Sequence, residues 1–237
     1  MASEITTILE IGTGTIRVLI AELRDDDVVS VVGVGEAPSR GISKGEIVNR
    51  DDAISCVRKA LKSAEESCRK NIHSVILVTS GGEAACRRSM GTHKLVDFHE
   101  NMMEEVCAED IDAVVDMARR VALPENRIKL HTIQQRFYID DSRPVSNPVG
   151  MQGENLHVNM LTIHGKRSAV ENFRKLVDDT PIACSDAVFS GLCSALAVVS
   201  EEQKKAGVLV IDIGCGTTDY ALYHDGYLQA AGSFSVG

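Results

Sequence analysis

Ile8-Leu9-Glu10-Ile11-Gly12-Thr13-Gly14-Thr15, close to the start of the chain, returns close to its other end as Val210-Ile211-Asp212-Ile213-Gly214-Cys215-Gly216-Thr217. Each copy is an apolar strand ending in an acid, then a glycine-rich turn, then a second strand. An internal repeat sets the architecture before any other signal does. This one also has a chemical reading. Glycines at 12 and 14, and again at 214 and 216, are expected to take positive φ and to leave no Cβ in a ligand's way. The backbone N–H groups of such turns form an anion-binding concavity, to which Thr13, Thr15, Thr217 and Thr218 add hydroxyl donors. A carboxylate at each strand end, Glu10 and Asp212, suits magnesium, which keeps most of its waters and takes few protein ligands. One such turn describes any tight hairpin equally well. The matched pair, each copy opening a three-stranded meander, points to a phosphate chain and its magnesium held between them.

Bulk properties narrow the classes. At 237 residues and 44% apolar, the chain can bury a full core. Its net charge of −9 argues against a nucleic-acid binder, which would need a basic face. Seven cysteines, at 56, 68, 86, 107, 184, 193 and 215, form no C-x-x-C pair and are odd in number. That is the usage of reduced thiols, not of a disulfide or zinc framework. Seven histidines (73, 93, 99, 131, 157, 164, 224) show no metal-ligand spacing. The absence of Trp argues against a carbohydrate or base-stacking surface. Met1-Ala2-Ser3-Glu4 lacks the regions of a signal peptide, and no apolar run reaches transmembrane length. The expectation is a cytoplasmic, acidic, globular α/β protein.

Along the chain, residues 5–11, 15–23 and 28–36 are β-branched and apolar and predict three strands, joined by the glycine turn and by Arg24-Asp25-Asp26-Asp27. A helix is predicted from about Asp51 to Lys70, with Ile54, Val57, Leu61, Ala64 and Cys68 on one face. A buried strand follows at Ser74–Thr79, ending at Gly81-Gly82. From 85 to 165 the character changes to a small inserted α+β unit. It has a helix near 109–121 stopped by Pro124, strands at 127–139 and 155–164, and the loop Arg143–Gly150. Ser168 with Glu171 reads as a capping box opening a helix through Val177. Pro181–Val188 reads as a strand, Asp186–Ser200 as containing an apolar helix capped by Asp186, and Glu201–Lys205 as a charged turn. The second meander starts at Gly207. A fold of two matched halves needs more residues than these, so the chain is expected to be the front of a longer one. The rival is a mini-protein whose last hairpin completes the first sheet.

The duplicated hairpins resemble the phosphate-1 and phosphate-2 loops of the actin-like ATPase superfamily, which implies a ribonuclease H-like mixed sheet. Gly33-Val-Gly-Glu-Ala-Pro-Ser-Arg-Gly-Ile-Ser-Lys-Gly-Glu-Ile47 is similar to a G-x-G-x-x-P-S-x-G-[IM]-x-K-G segment of the FtsA family. Asn147-Pro-Val-Gly-Met-Gln-Gly153 is similar to that family's N-P-x-G-[LM]-x-G motif. The resemblance runs from about Thr7 to Gly237. It implies subdomain 1A at 1–84 and 166–206, an inserted 1C subdomain at 85–165, and the opening of a truncated 2A at 207–237. By the same resemblance the intact protein binds ATP and Mg²⁺ and polymerises. It links the FtsZ ring to the cytoplasmic membrane and recruits later division proteins through the inserted unit. Its lipid-binding C-terminal helix has no counterpart in this stretch.

Residue by residue, the resemblance implies a phosphate and cofactor site made of Gly12, Thr13, Gly14, Thr15, Asp212, Gly214, Cys215, Gly216, Thr217 and Thr218, with Glu10 and Asp212 near the metal. Glu10 departs from the superfamily's usual Asp, and Cys215 stands where the family usually has glycine. Were φ positive there, a Cβ would cost roughly 1 kcal/mol. Hydrolysis needs a group to orient water, yet Ser190–Val199 carries no acid or amide side chain. No catalytic residue is assigned, and binding without efficient turnover is expected, weak in this chain by itself. Gln135 is taken as structural, and the Ser39–Lys44 loop as a contact between parts of the fold. Asp25-Asp26-Asp27 and Glu201-Glu202 are taken as solvated. A sugar or acid kinase of the same superfamily would need a base and an acceptor pocket that the sequence does not offer. A non-polymerising pilus-assembly scaffold is the other alternative.

Overall fold

The computed structural model describes residues 4–24, 28–81, 83–95, 105–140 and 143–237. The Asp25-Asp26-Asp27 turn, Gly82, His99 and Met1–Ser3 lie outside the described residues. In chain order the elements begin with β1 (Glu4–Ile11), β2 (Thr15–Leu23), β3 (Val29–Pro38), β4 (Ile42–Ser43), β5 (Glu46–Ile47), α1 (Arg50–Cys68) and β6 (Ser74–Thr79). Then come β7 (Ala85–Lys94), α2 (Ala108–Arg119), β8 (Arg127–Ile139) and β9 (Asn155–Lys166). The chain continues through α3 (Arg167–Asp178), β10 (Ala183–Phe189), α4 (Ser190–Val198) and α5 (Glu201–Ala206) to β11 (Val208–Ile213), β12 (Thr218–His224) and β13 (Tyr227–Phe234).

The first sheet has the order β10-β6-β1-β2-β3, with β6 parallel to both β1 and β10 and the rest antiparallel. Alternation sends Leu9, Ile11, Ile16, Val18 and Ile20 to one face, where α1 and α3 cover them with Val57, Leu61, Phe173 and Leu176. Each such side chain contributes about 1.5–3 kcal/mol on burial. Helix α1 starts at Asn49, whose side chain accepts from the Asp52 N–H at 3.3 Å, and Asp51 and Asp52 complement its dipole. It ends at Arg69 in the left-handed region, φ 56°. The helix sits directly on β3: a Cβ at Gly35 would lie 2.1 Å from the Ala60 carbonyl oxygen.

The inserted unit is an antiparallel sheet, β7-β9-β8. One face of β9 packs Leu156, Val158 and Met160 under α2. The other sends Leu161 and Ile163 into a core shared with Phe189, Leu192, Ala221, Tyr223, Leu228 and Ala231. The second meander forms its own sheet, β11-β12-β13, so the last hairpin does not complete the first sheet.

Several local expectations are corrected. Helix α3 opens two residues earlier, with Lys166 as N-cap and no side-chain cap; Glu171 pairs with Arg167 at 3.5 Å, so Ser168 and Glu171 form no capping box. Asp186 lies within β10, 3.6 Å from Arg174, and α4 starts after Phe189 without a side-chain cap. Glu201–Lys205 is not a turn but belongs to α5, opened by a capping box of Ser200 and Gln203. Strand β7 had no counterpart in the sequence reading. No helix among the described residues is long and apolar enough to cross a membrane.

Candidate phosphate-binding cleft

The two glycine turns close in the same way. The Gly12 N–H donates to the Thr15 carbonyl at 3.1 Å, and the Gly214 N–H to the Thr217 carbonyl at 2.9 Å. The expected positive φ is absent: none of Gly12, Gly14, Gly214, Gly216 or Cys215 lies in the left-handed region. Space decides instead. A Cβ on Gly14 would lie 2.5 Å from Cys215 Sγ, and one on Gly216 would lie 2.8 Å from Thr13 Oγ1 and 3.0 Å from the Lys44 nitrogen. Each hairpin therefore leaves room for the other, and Cys215 carries no left-handed penalty.

The Ser39–Lys44 loop wedges beside them, as a contact should. The Ser39 N–H donates to the Gly14 carbonyl at 3.0 Å, and the Gly45 N–H to Thr13 Oγ1 at 3.3 Å. From the second hairpin, Thr217 Oγ1 shares a 2.7 Å hydrogen bond with Ser80. A cleft of about 350 Å³ opens between the hairpins, lined by Glu10, Gly12, Thr13, Gly14, Thr15, Asp212, Gly214, Cys215 and Thr217. Two residues expected in the site are turned elsewhere. Gly216 is buried against Thr13 and the Lys44 backbone, and Thr218 Oγ1 donates to the Val236 carbonyl at 2.7 Å.

The carboxylates of the two copies differ in their company. Glu10 stands opposite Arg17 in register and pairs with it at 3.4 Å, while Arg17 also holds Glu36 at 2.9 Å. At the matching place Asp212 stands opposite a second acid, Asp219. Asp212 Oδ2 accepts from Ser194 at 2.7 Å. Asp219, which sequence reading missed, lines the cleft and is 2% exposed. Burial pushes its carboxyl above the ordinary range and Asp212 adds to the push; the Ser233 and Ser80 hydroxyls and the Gly81 N–H pull it back. Its Oδ1 has no hydrogen-bond partner among the described residues. The available signal was alternation: Asp219, Ala221 and Tyr223 are the inward positions of β12.

Beside the first hairpin Arg17 is shared between Glu10 and Glu36, whereas beside the second no cation pairs with Asp212 or Asp219 among the described residues. Among the described residues no cluster of three or more His, Cys, Asp or Glu could hold a metal by itself. Magnesium needs no such cluster, because it takes one or two carboxylates and completes its shell with waters and phosphate oxygens. Asp212 and Asp219 suit it better than the Arg17-bound Glu10.

Residues 86–164 match the family model described as the SHS2 domain inserted in FTSA. The cell division protein FtsA of Escherichia coli K12 is 35% identical over 223 residues, 93% of this chain and 51% of that protein. FtsA of Neisseria meningitidis serogroup B is 33% identical over 231 residues, 98% of this chain and 54% of that protein. Among solved structures, the PilM-PilN type IV pilus biogenesis complex superposes with a TM-score of 0.62 at 14% identity, covering 97% of this chain and 61% of that one. The ethanolamine utilization protein EutJ of Carboxydothermus hydrogenoformans gives 0.51 at 12% identity, covering 100% and 54%. These two likenesses concern the fold alone, which is actin-like. The chain spans about half the length of the curated relatives it matches, and over that half it belongs to the FtsA family of cell-division proteins.

Proposed function

We propose that the chain forms the phosphate-holding part of an ATP–Mg²⁺ cleft in a cell-division protein of the FtsA type. The observation that carries this is the meeting of both hairpins, Asp212 and Asp219 on one cleft. The turn N–H groups and the hydroxyls of Thr13, Thr15 and Thr217 would receive phosphate oxygens. Asp212 and Asp219 would hold the waters of a magnesium ion, whose charge offsets that of the phosphates. Glu10 stays with Arg17 and shapes the wall. No acid or amide side chain lies on α4, so nucleotide serves as a conformational ligand more than as a substrate.

Within the intact protein, subdomain 1A would comprise 1–84 and 166–206, 1C would comprise 85–165, and 2A would open at 207. The whole would polymerise on nucleotide at the cytoplasmic face of the membrane, link the FtsZ ring to it, and recruit later division proteins through 85–165. Calorimetric titration of the chain with magnesium tripolyphosphate tests the cleft without needing an adenosine pocket. The expected dissociation constant is on the order of 0.1 mM, lost in Asp212→Ala. Binding unchanged by that substitution, or none at all, would refute the proposal.

A further inference from the structure

The sheet of the inserted unit is covered unevenly. On β9, His157, Asn159, Leu161 and Ile163 share the face away from α2. Leu161 and Ile163 are covered by the second meander, while His157 and Asn159 remain half-buried beyond it. Where that cover stops, a notch of about 420 Å³ opens between the sheet and the β12–β13 turn. Arg88 Nη2 donates to the Gln229 carbonyl at 3.2 Å and to its Oε1 at 3.1 Å. Arg136 pairs with Asp225 at 3.2 Å and lies 4.7 Å over the Tyr227 ring. The turn is fixed in its own right, because the Asp225 and Gly226 N–H groups donate to the Lys205 and Lys204 carbonyls at 3.2 and 3.0 Å. The notch is therefore preformed.

Its charge runs against that of the molecule. Two arginines face one carboxylate, Asp225, in a chain of net charge −9, a local reversal that attracts an anionic partner. Met90, 63% exposed, and Tyr138 add apolar surface beside the guanidinium groups. We propose that this notch docks an acidic peptide segment of a protein partner, its carboxylates on Arg88 and Arg136 and an apolar side chain on Met90 and Tyr138. Planar guanidinium forks suit carboxylates, and the apolar surface of Met90 and Tyr138 beside them suits a peptide side chain, which a polyphosphate lacks. The inference rests on the recruiting role proposed for the insert and is independent of the phosphate cleft.

The test uses the 237-residue chain with ¹³C-methyl methionine and the hexapeptide acetyl-Glu-Leu-Glu-Glu-Leu-Glu-amide, with the same peptide carrying lysine for glutamate as control. The Met90 methyl should shift and that of Met117, exposed on α2, should stay. Calorimetry should show binding weakened about tenfold or more in Arg88→Glu, and equally in Met90→Glu, a surface change that keeps the seam contacts. No Met90 shift at millimolar peptide, equal affinity for the lysine peptide, or unchanged affinity in both variants overturns the proposal. A shift at Met117 alone overturns it too, while leaving a recruiting role for the insert.

Discussion

Asp219→Asn should make the fold more stable and the cleft ineffective. Asp219 is 2% exposed, faces Asp212 across the β11–β12 pair, and has no partner for Oδ1 among the described residues. Because burial, and secondarily Asp212, raise its folded pKa, the native state holds this proton more tightly than the unfolded chain. Stability is therefore lost as pH rises from the usual value of 3.8 through the raised folded value, and stays lost above it. An amide has no charge to desolvate. Relieving a buried, poorly partnered group is worth on the order of 1–2 kcal/mol. At about 3 °C per kcal/mol for a chain of this size, the variant should melt about 3–6 °C above wild type near pH 8. Near pH 4 the difference should shrink toward zero. Scanning calorimetry across this range reads both numbers. Magnesium tripolyphosphate at about 100 times its dissociation constant should add about 2.7 kcal/mol to wild type and nothing to the variant. A variant that melts lower at pH 8, or a difference independent of pH, would refute the reasoning.

Gly35→Ala would drive a methyl to 2.1 Å from the Ala60 carbonyl oxygen and 2.4 Å from the Ala64 nitrogen, and should cost about 3 kcal/mol in urea unfolding. Leu161→Ala empties part of the core that joins the insert to the second meander; it should cost about 3 kcal/mol and keep a single transition. His131 Nε2 accepts the Phe189 N–H at 2.9 Å, and burial lowers its pKa below 6.5. Stability should fall as pH drops from 6.5 through the lowered folded value, and His131→Gln should flatten that slope in melts from about pH 7 to 5.

The first sheet was legible because its strands alternate cleanly and the β1–β2 turn carries glycine; Ser74–Thr79 came out to the residue. Strand β7 was not, for a physical reason. Helix α2 approaches it over Gly91, where a Cβ would lie 2.2 Å from the Val114 carbonyl oxygen, and through Ser89, which donates to the Ala118 carbonyl at 2.8 Å. Neither leaves an apolar imprint. Helix α5 is polar all round and depends on its capping box and on Lys204, which pairs with Glu201 and lies 5.5 Å over the Tyr223 ring. Its tertiary partner could not be read from five charged or polar letters. In the cleft, most of the repeat's residues came together, but a glycine kept for space looks the same in sequence as one kept for φ. Asp219 escaped notice because an acid at an inward strand position breaks the pattern that marks such positions.

The central claim is that the two hairpins hold a phosphate chain and its metal between them. Crystals of the chain grown with manganese tripolyphosphate would test it through the anomalous signal of the metal. The account predicts a peak beside the Asp212 and Asp219 carboxylates, with the polyphosphate along Gly12–Thr15 and Gly214–Thr217. Polyphosphate bound elsewhere, at Arg88 and Arg136 for example, with this cleft empty, would contradict it.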